Sequence, residues 1–255
     1  MGLNFGDCRD GMRGLHDKSF DHAMLDSPYE EEAHSKGRRV MVKTWAQSRE
    51  GIGIIAEKQI SYAPITEAER TEVAAQVARL TKRWILAFCQ VEAAMLWRSA
   101  FEAAGAEYKR TGIYWKTDAQ PQYNGQQPGV GFEAVVICHG MPRKGPTRWN
   151  GGGKCARWDS SADARFGKKL DVDGQKPLHL MRQLVIDFTD EGERILVPYS
   201  GAATTEVACI ELGRDYESWE VLREHYEKGS ARIADARRQE KLFSKPMKQL
   251  SLTGG

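Results

Sequence analysis

Strand-like and helix-like patterns alternate along this chain, and that alternation limits its fold more than any other feature. Phe20–Leu25, Trp84–Cys89, Phe132–Cys138 and Arg194–Val197 read as short buried strands, joined by Tyr108–Trp115 and Tyr216–Val221. Thr66–Lys82 carries Val73, Ala74, Val77 and Leu80 at helical spacing. Val91–Ala104, which ends at Gly105, Pro177–Thr189, Thr204–Leu212 and Leu222–Lys241 read as further helices. Strands alternating with helices predict an α/β fold, a mostly parallel sheet with helices on both faces. Residues 140–175 show no period and many Gly, Pro and basic residues, so they are expected to be an irregular insert.

The 255 residues fit a single domain spanning 1–255. With 28% charged residues and a net charge of +2, the chain is neither a disordered acidic chain nor a polycation. Its longest apolar runs fall far short of the ~20 residues that a membrane span needs. The N-terminus shows neither the basic nor the apolar region of an export signal. Cys8, Cys89, Cys138, Cys155 and Cys209 are odd in number and form no C-x-x-C pair, which argues against a disulfide framework or a zinc site. His22, His34, His139 and His179 lack ligand-like spacing, so no metal is expected. A reduced, cytoplasmic setting follows.

The near-neutral total hides local bias. Lys36, Arg38, Arg39 and Lys43 lie in an acid-free stretch, and residues 30–62 are expected to form a mobile basic loop. Arg143, Lys144, Arg148, Lys154 and Arg157 share a second acid-free stretch with Trp149 and Gly151–Gly153. A third basic stretch forms a tail over 240–255. Such loops suit a phosphate backbone, and the insert 140–175 is expected to read DNA.

Two turns follow strands at the edge where open α/β sheets place ligands. One is Leu25-Asp26-Ser27-Pro28-Tyr29; the other runs from Val197 through Pro198, Tyr199, Ser200, Gly201, Ala202 and Ala203 to Thr204 and Thr205. Four more segments join them in a fixed order: Gly6-Asp7-Cys8, Tyr114-Trp115-Lys116, Lys176-Pro177 with Leu180 and Leu184, and Leu212-Gly213-Arg214 through Glu220.

In that order the six segments resemble the motifs of the amino-directed DNA methyltransferases, which modify adenine N6 or cytosine N4. The resemblance covers roughly residues 3 to 230. The catalytic motif precedes the cofactor motif, as in the family's β class, and the small size is similar to phage or prophage members. The resemblance implies a Rossmann-like, S-adenosylmethionine-dependent methyltransferase fold. It implies S-adenosylmethionine as cofactor and double-stranded DNA as partner, and it leaves homodimerisation open.

The resemblance also assigns roles. Asp26, Ser27, Pro28 and Tyr29 match the catalytic tetrapeptide, usually D-P-P-Y or S-P-P-Y. The cofactor would be held by Asp7, Asp26, Lys176, Pro198, Tyr199, Ser200, Gly201, Ala202, Thr204, Thr205 and Glu220. DNA contacts fall to Lys36, Arg38, Arg39, Lys116, Arg143, Lys144, Arg148, Trp149 and Lys154. Trp149 is expected to wedge or stack beside an extruded base.

The chemistry suits the motif. An exocyclic amine is a poor nucleophile because its lone pair is delocalised into the ring. Two acceptors, the Asp26 carboxylate and the Ser27 carbonyl, can take its two N–H groups and free that lone pair. Tyr29 offers a face for a flipped base. Methylation at cytosine C5 would need a cysteine, typically after proline, and none of the five cysteines follows one.

Three departures from the family pattern stand out. Val197 occupies a position usually held by an acid, Ala202-Ala203 replaces Ser-Gly, and Ser27 replaces the usual second-position proline while keeping the required carbonyl. An alanine that needs positive φ would be strained there. Asp at the head of the tetrapeptide favours adenine N6 over cytosine N4. The alternatives are N4-cytosine transfer and a catalytically silent DNA-binding relative with a degenerate cofactor motif.

Overall fold

The computed structural model of the chain describes residues 2–30, 38–42, 54–58, 63–117, 119, 128–140, 147–159, 172 and 174–243, with backbone alone for 38–42, 54–58 and 241–243. Its strands are β1 (Leu3–Phe5), β2 (His22–Asp26), β3 (Arg38–Val42), β4 (Ile54–Lys58), β5 (Trp84–Cys89), β6 (Glu107–Trp115), β7 (Phe132–His139), β8 (Arg157–Asp159), β9 (Arg194–Val197) and β10 (Asp215–Glu220). Its α-helices are α1 (Cys8–Arg13), α2 (Glu67–Leu80), α3 (Ala94–Ala103), α4 (Leu178–Phe188), α5 (Thr204–Glu211) and α6 (Arg223–Phe243).

Eight strands form one sheet in the order β1-β10-β9-β2-β5-β7-β6-β8. β7 pairs antiparallel with β5 and β6, and every other pairing in the sheet is parallel. The expected mostly parallel sheet is therefore present, with one reversed strand that apolar pattern alone does not reveal.

Strand alternation sends side chains to two cores. Ile85, Ala87 and Cys89 of β5 join Ala23 and Leu25 of β2 under α2 and α3, with Val73, Val77, Trp97 and Phe101. Trp84, Leu86 and Phe88 face the other way, with Met24, Ile195 and Val197, against Leu180, Leu184 and Phe188 of α4 and Val207 of α5. A strand buried on both faces reads as a continuous apolar run, as β5 does.

The helix ends follow side-chain chemistry. Thr66 caps α2 by accepting from the Glu69 N–H, while the Glu69 side chain accepts from the Thr66 N–H, a reciprocal capping box. Pro177 precedes α4 with φ −60, a geometry its ring presets at a position that needs no donor.

Several elements differ from the expectation. The span 91–104 divides into a 3₁₀ turn at Val91–Ala93 and α3. β1, α1 and β8 were not expected, because three to six residues are too short to display a period. The insert 140–175 thus contains an edge strand, β8, on β6. The basic stretch 30–62 contains a hairpin, with β3 antiparallel to β4. Among the described residues no helix is long and apolar enough to cross a membrane.

Candidate active site

The parallel strands aim their carboxyl ends at one edge of the sheet. β2 delivers Asp26, β9 runs into the turn 198–203, and β10 ends on Glu220. Because β7 is reversed, its first residues, Phe132 and Glu133, arrive at the same edge.

These ends surround a cleft lined by Asp26, Ser27, Pro28 and Tyr29 on one side and by Tyr199 to Ala202, Thr204, Thr205 and Glu220 on the other. Gln175, Lys176, Val221, Leu222 and His225 complete it. It is an open cleft of about 860 Å³, a figure that includes space continuous with solvent.

The glycine turn is built for close approach. Gly201 has φ +53, and a Cβ placed there would meet nothing within 4 Å. Its N–H donates to Glu220 Oε2 at 2.8 Å, and the Leu222 N–H donates to Oε1 at 2.8 Å. Burial pushes the Glu220 carboxyl up, against these two backbone donors and His225. Arg232 from α6 braces the turn from behind, donating to the Ala202 carbonyl and to Thr204 Oγ1, each at 2.9 Å. Ala203 adopts φ +55, the left-handed conformation in which a Cβ is costly.

The catalytic turn sits on a buried charge cluster. Lys176 Nζ donates to Asp26 Oδ1 at 2.6 Å and lies 3.2 Å from Glu133 Oε2. Tyr29 donates its hydroxyl to Glu133 Oε1 at 2.8 Å, and Lys116 pairs with the same oxygen. Lys176 is also 5.0 Å above the Phe88 ring. Burial alone would lower the Lys176 ammonium, yet Asp26 and Glu133 hold it well above the usual lysine range. Burial raises Asp26 despite Lys176. Burial would raise Glu133 as well, but Lys176, Lys116 and Tyr29 bring it down to about 2.

Not every residue singled out in the sequence lines this cleft. Asp7 is the N-cap of α1, accepting from the Arg9 N–H at 2.8 Å, and its carboxylate also binds the Arg9 guanidinium. Pro198 is buried and does not line the cleft, and Lys116 joins the site through Glu133 rather than at the cleft surface.

Arg148, Trp149 and Lys154 lie at the opposite, amino edge. The Arg148 carbonyl accepts from Trp84 Nε1 at the start of β5. Trp149 packs on Phe188 at 5.3 Å and donates to the Gly152 carbonyl, and Lys154 pairs with Asp187 near the end of α4. A loop that covers the amino ends of strands cannot also sit beside Asp26 at a carboxyl end. Lys36, Arg143 and Lys144 lie outside the described residues, as do the side chains of Arg38 and Arg39.

Glu133, His225, Val221 and Leu222 were missed in the sequence. Only Glu133 left a signal there, as a lone acid inside the apolar run Phe132–Cys138. Among the described residues no cluster of His, Cys, Asp or Glu is arranged to hold a metal ion.

No family model and no curated protein matches the chain. Solved structures do. The M1.HpyAVI–SAM complex matches with a TM-score of 0.65 at 16% identity, over 91% of this chain and 98% of that one. The cytosine-N4-specific PvuII DNA methyltransferase matches with a TM-score of 0.65 at 10% identity, over 94% and 92% of the two chains. The chain shares its fold with these two proteins. TTHA0409 of Thermus thermophilus, complexed with S-adenosyl-L-methionine, shares it with a TM-score of 0.61 at 17% identity, over 92% and 95% of the two chains. In this fold the cleft lies along the carboxyl edge, with the Asp26 turn beside the glycine turn.

Proposed function

We propose that the chain methylates the N6 amino group of adenine in double-stranded DNA, with S-adenosylmethionine as donor and the target base turned out of the helix. One observation carries this reading: Asp26–Tyr29 and Ser200–Thr205, far apart in the chain, line a single cleft. The residues present fit the cofactor. Gly201 leaves room for close backbone approach, and Val221 and Leu222 supply an apolar wall. Each Glu220 oxygen accepts one backbone N–H and keeps a second lone pair for a ribose hydroxyl.

When bound, S-adenosylmethionine supplies an electrophilic methyl group. Asp26 accepts one N–H of the target amine and the Ser27 carbonyl accepts the other, which turns the nitrogen lone pair toward that methyl. With the cofactor bound, the N–CH3 bond would form as the sulfonium S–CH3 bond breaks, leaving a neutral thioether, and the nitrogen would release one proton to solvent. The Lys176 ammonium favours the ionised form of Asp26 against the opposing effect of burial. Pro28 stiffens the turn, and Tyr29 supplies an aromatic face to the extruded base. Lys36, Arg38 and Arg39 follow the catalytic turn closely in the sequence, which supports DNA approaching from the carboxyl edge.

The test is methylation of a plasmid with labelled cofactor, followed by nucleoside analysis. Labelled N6-methyladenine is expected. N4-methylcytosine would move the target to the base named for the PvuII enzyme. Absence of label, with no cofactor binding in calorimetry, would leave a DNA-binding relative that has lost the chemistry.

A further inference from the structure

Among the described residues, Glu133 is the one group that touches Lys176, Tyr29 and Lys116 together. We propose that Glu133 is a positioning residue for methyl transfer: through Lys176 and Tyr29 it fixes the orientation in which Asp26 and the tyrosine ring meet the target base. This inference rests on the reading above and assigns a role to a residue outside the tetrapeptide.

The argument is geometric. A lysine ammonium has three N–H groups on a flexible stem, so one carboxylate partner leaves it free to swing. Here Nζ is held between two carboxylates, Asp26 at 2.6 Å and Glu133 at 3.2 Å. Glu133 and Lys176 are 7% and 6% exposed in their side chains, so water competes little for these contacts. The Glu133 oxygen facing away from Lys176 takes the Tyr29 hydroxyl at 2.8 Å, which pins the ring of the catalytic turn.

Two carboxylates and two ammoniums balance the charge of the cluster. A buried charge is retained at low cost only when it is paired in this way. The groups facing Lys176 are Asp26 from β2, Tyr29 from the turn after it, Glu133 from β7 and the Phe88 ring from β5, with Lys116 beyond Glu133. Without the Glu133 charge, Lys176 would be ion-paired with Asp26 alone. The carboxylate would then be a weaker and differently oriented acceptor for the amine.

The test uses Glu133→Gln and Glu133→Asp in the full chain, beside the wild type. Cofactor affinity by calorimetry and KM for duplex DNA are expected to change by no more than about twofold in Glu133→Gln, while kcat falls about 100-fold, the scale of a small misplacement of reacting groups. The alkaline fall in rate is expected at lower pH than in the wild type, because Lys176 has lost one of the two carboxylates that retain its proton. Glu133→Asp keeps the charge, so its alkaline limb stays near that of the wild type with kcat partly recovered.

Unchanged kcat in Glu133→Gln would overturn the proposal. Equal losses in both variants with no alkaline shift would also overturn it, since a purely structural role predicts that result. Should Glu133→Gln fail to fold, Glu133→Asp decides: lowered kcat at unchanged KM supports the role, and wild-type kcat removes it. A wild type that transfers no methyl group overturns the methyltransferase reading and this inference together, whereas an active wild type with indifferent variants overturns this inference alone.

Discussion

Lys176 Nζ lies 2.6 Å from Asp26 Oδ1, although 150 positions separate the two residues in the chain. The contact joins the segment ahead of α4 to the end of β2. It places a buried ammonium where Asp26 and Glu133 would otherwise repel one another. Lys176→Met should therefore cost about 3–5 kcal/mol of stability, the usual penalty for removing one partner of a buried ion pair. Urea unfolding at neutral pH measures it. A cost near zero would mean that water or Lys116 replaces the lost charge.

The two departures in the cofactor turn should behave differently. Ala203 holds φ +55, so Ala203→Gly removes left-handed strain and should stabilise by up to about 1 kcal/mol after the added freedom of the unfolded chain is counted. Val197 is buried in the core beneath α4 and α5. Val197→Asp should place an unpaired carboxylate there and cost about 3 kcal/mol or more. Thermal melts of both variants, with cofactor titrations, check this; tighter cofactor binding in a fully stable Val197→Asp protein would reverse the assignment.

The loop with Arg148, Trp149 and Lys154 should not affect DNA binding through phosphate contact. Each phosphate contact contributes about −0.9 to the slope of log K against log salt. Replacing Arg148 and Lys154 by alanine should leave that slope unchanged, because both residues lie at the amino edge. Trp149→Ala should instead lower stability by about 3 kcal/mol through lost packing on Phe188, with turnover per folded molecule preserved. A slope shallower by one contact or more in the double variant would return the loop to the DNA surface.

Glu206 is fully buried in α5, and burial raises its carboxyl to about 7, against the pull of Ser200 and Ser218. Its ordinary value is 4.5, so between 4.5 and about 7 the folded state keeps a proton that the unfolded chain releases. Its contribution is complete below the ordinary value and falls as pH rises to about 7, by roughly 3 kcal/mol. Glu206→Gln should flatten that slope and melt higher than wild type at pH above 7. Glu193, held down to about 2 despite burial by His22, the Asp190 N–H and Arg83, acts in the opposite sense. Its stabilisation is complete above 4.5 and is lost as pH falls toward 2. Unfolding free energies across the pH range separate the two effects.

The sequence by itself determined the alternation, the strands β2, β5, β7 and β9 to within a residue or two, and the helices α2, α4, α5 and α6. These are long enough or apolar enough for their periods to stand above noise. It also placed Asp26–Tyr29 and Ser200–Thr205 at strand ends, because a turn after an apolar run must lie at an edge of the sheet.

Only the tertiary structure decided which other residues share that edge. The reversed direction of β7 leaves no trace in an apolar pattern, yet it carries Glu133 to the catalytic turn. The basic, tryptophan-containing loop 147–154 looked like a DNA surface because charge and aromatic content do not encode position. Chain direction puts it at the far edge, where α4 ends and β5 begins. Lys176 looked like part of a helix-start motif, and its partners lie 150 and 43 residues away. Local sequence sets turns and periods, whereas the pairing of buried charges depends on strand order, which follows from the packing of the whole sheet.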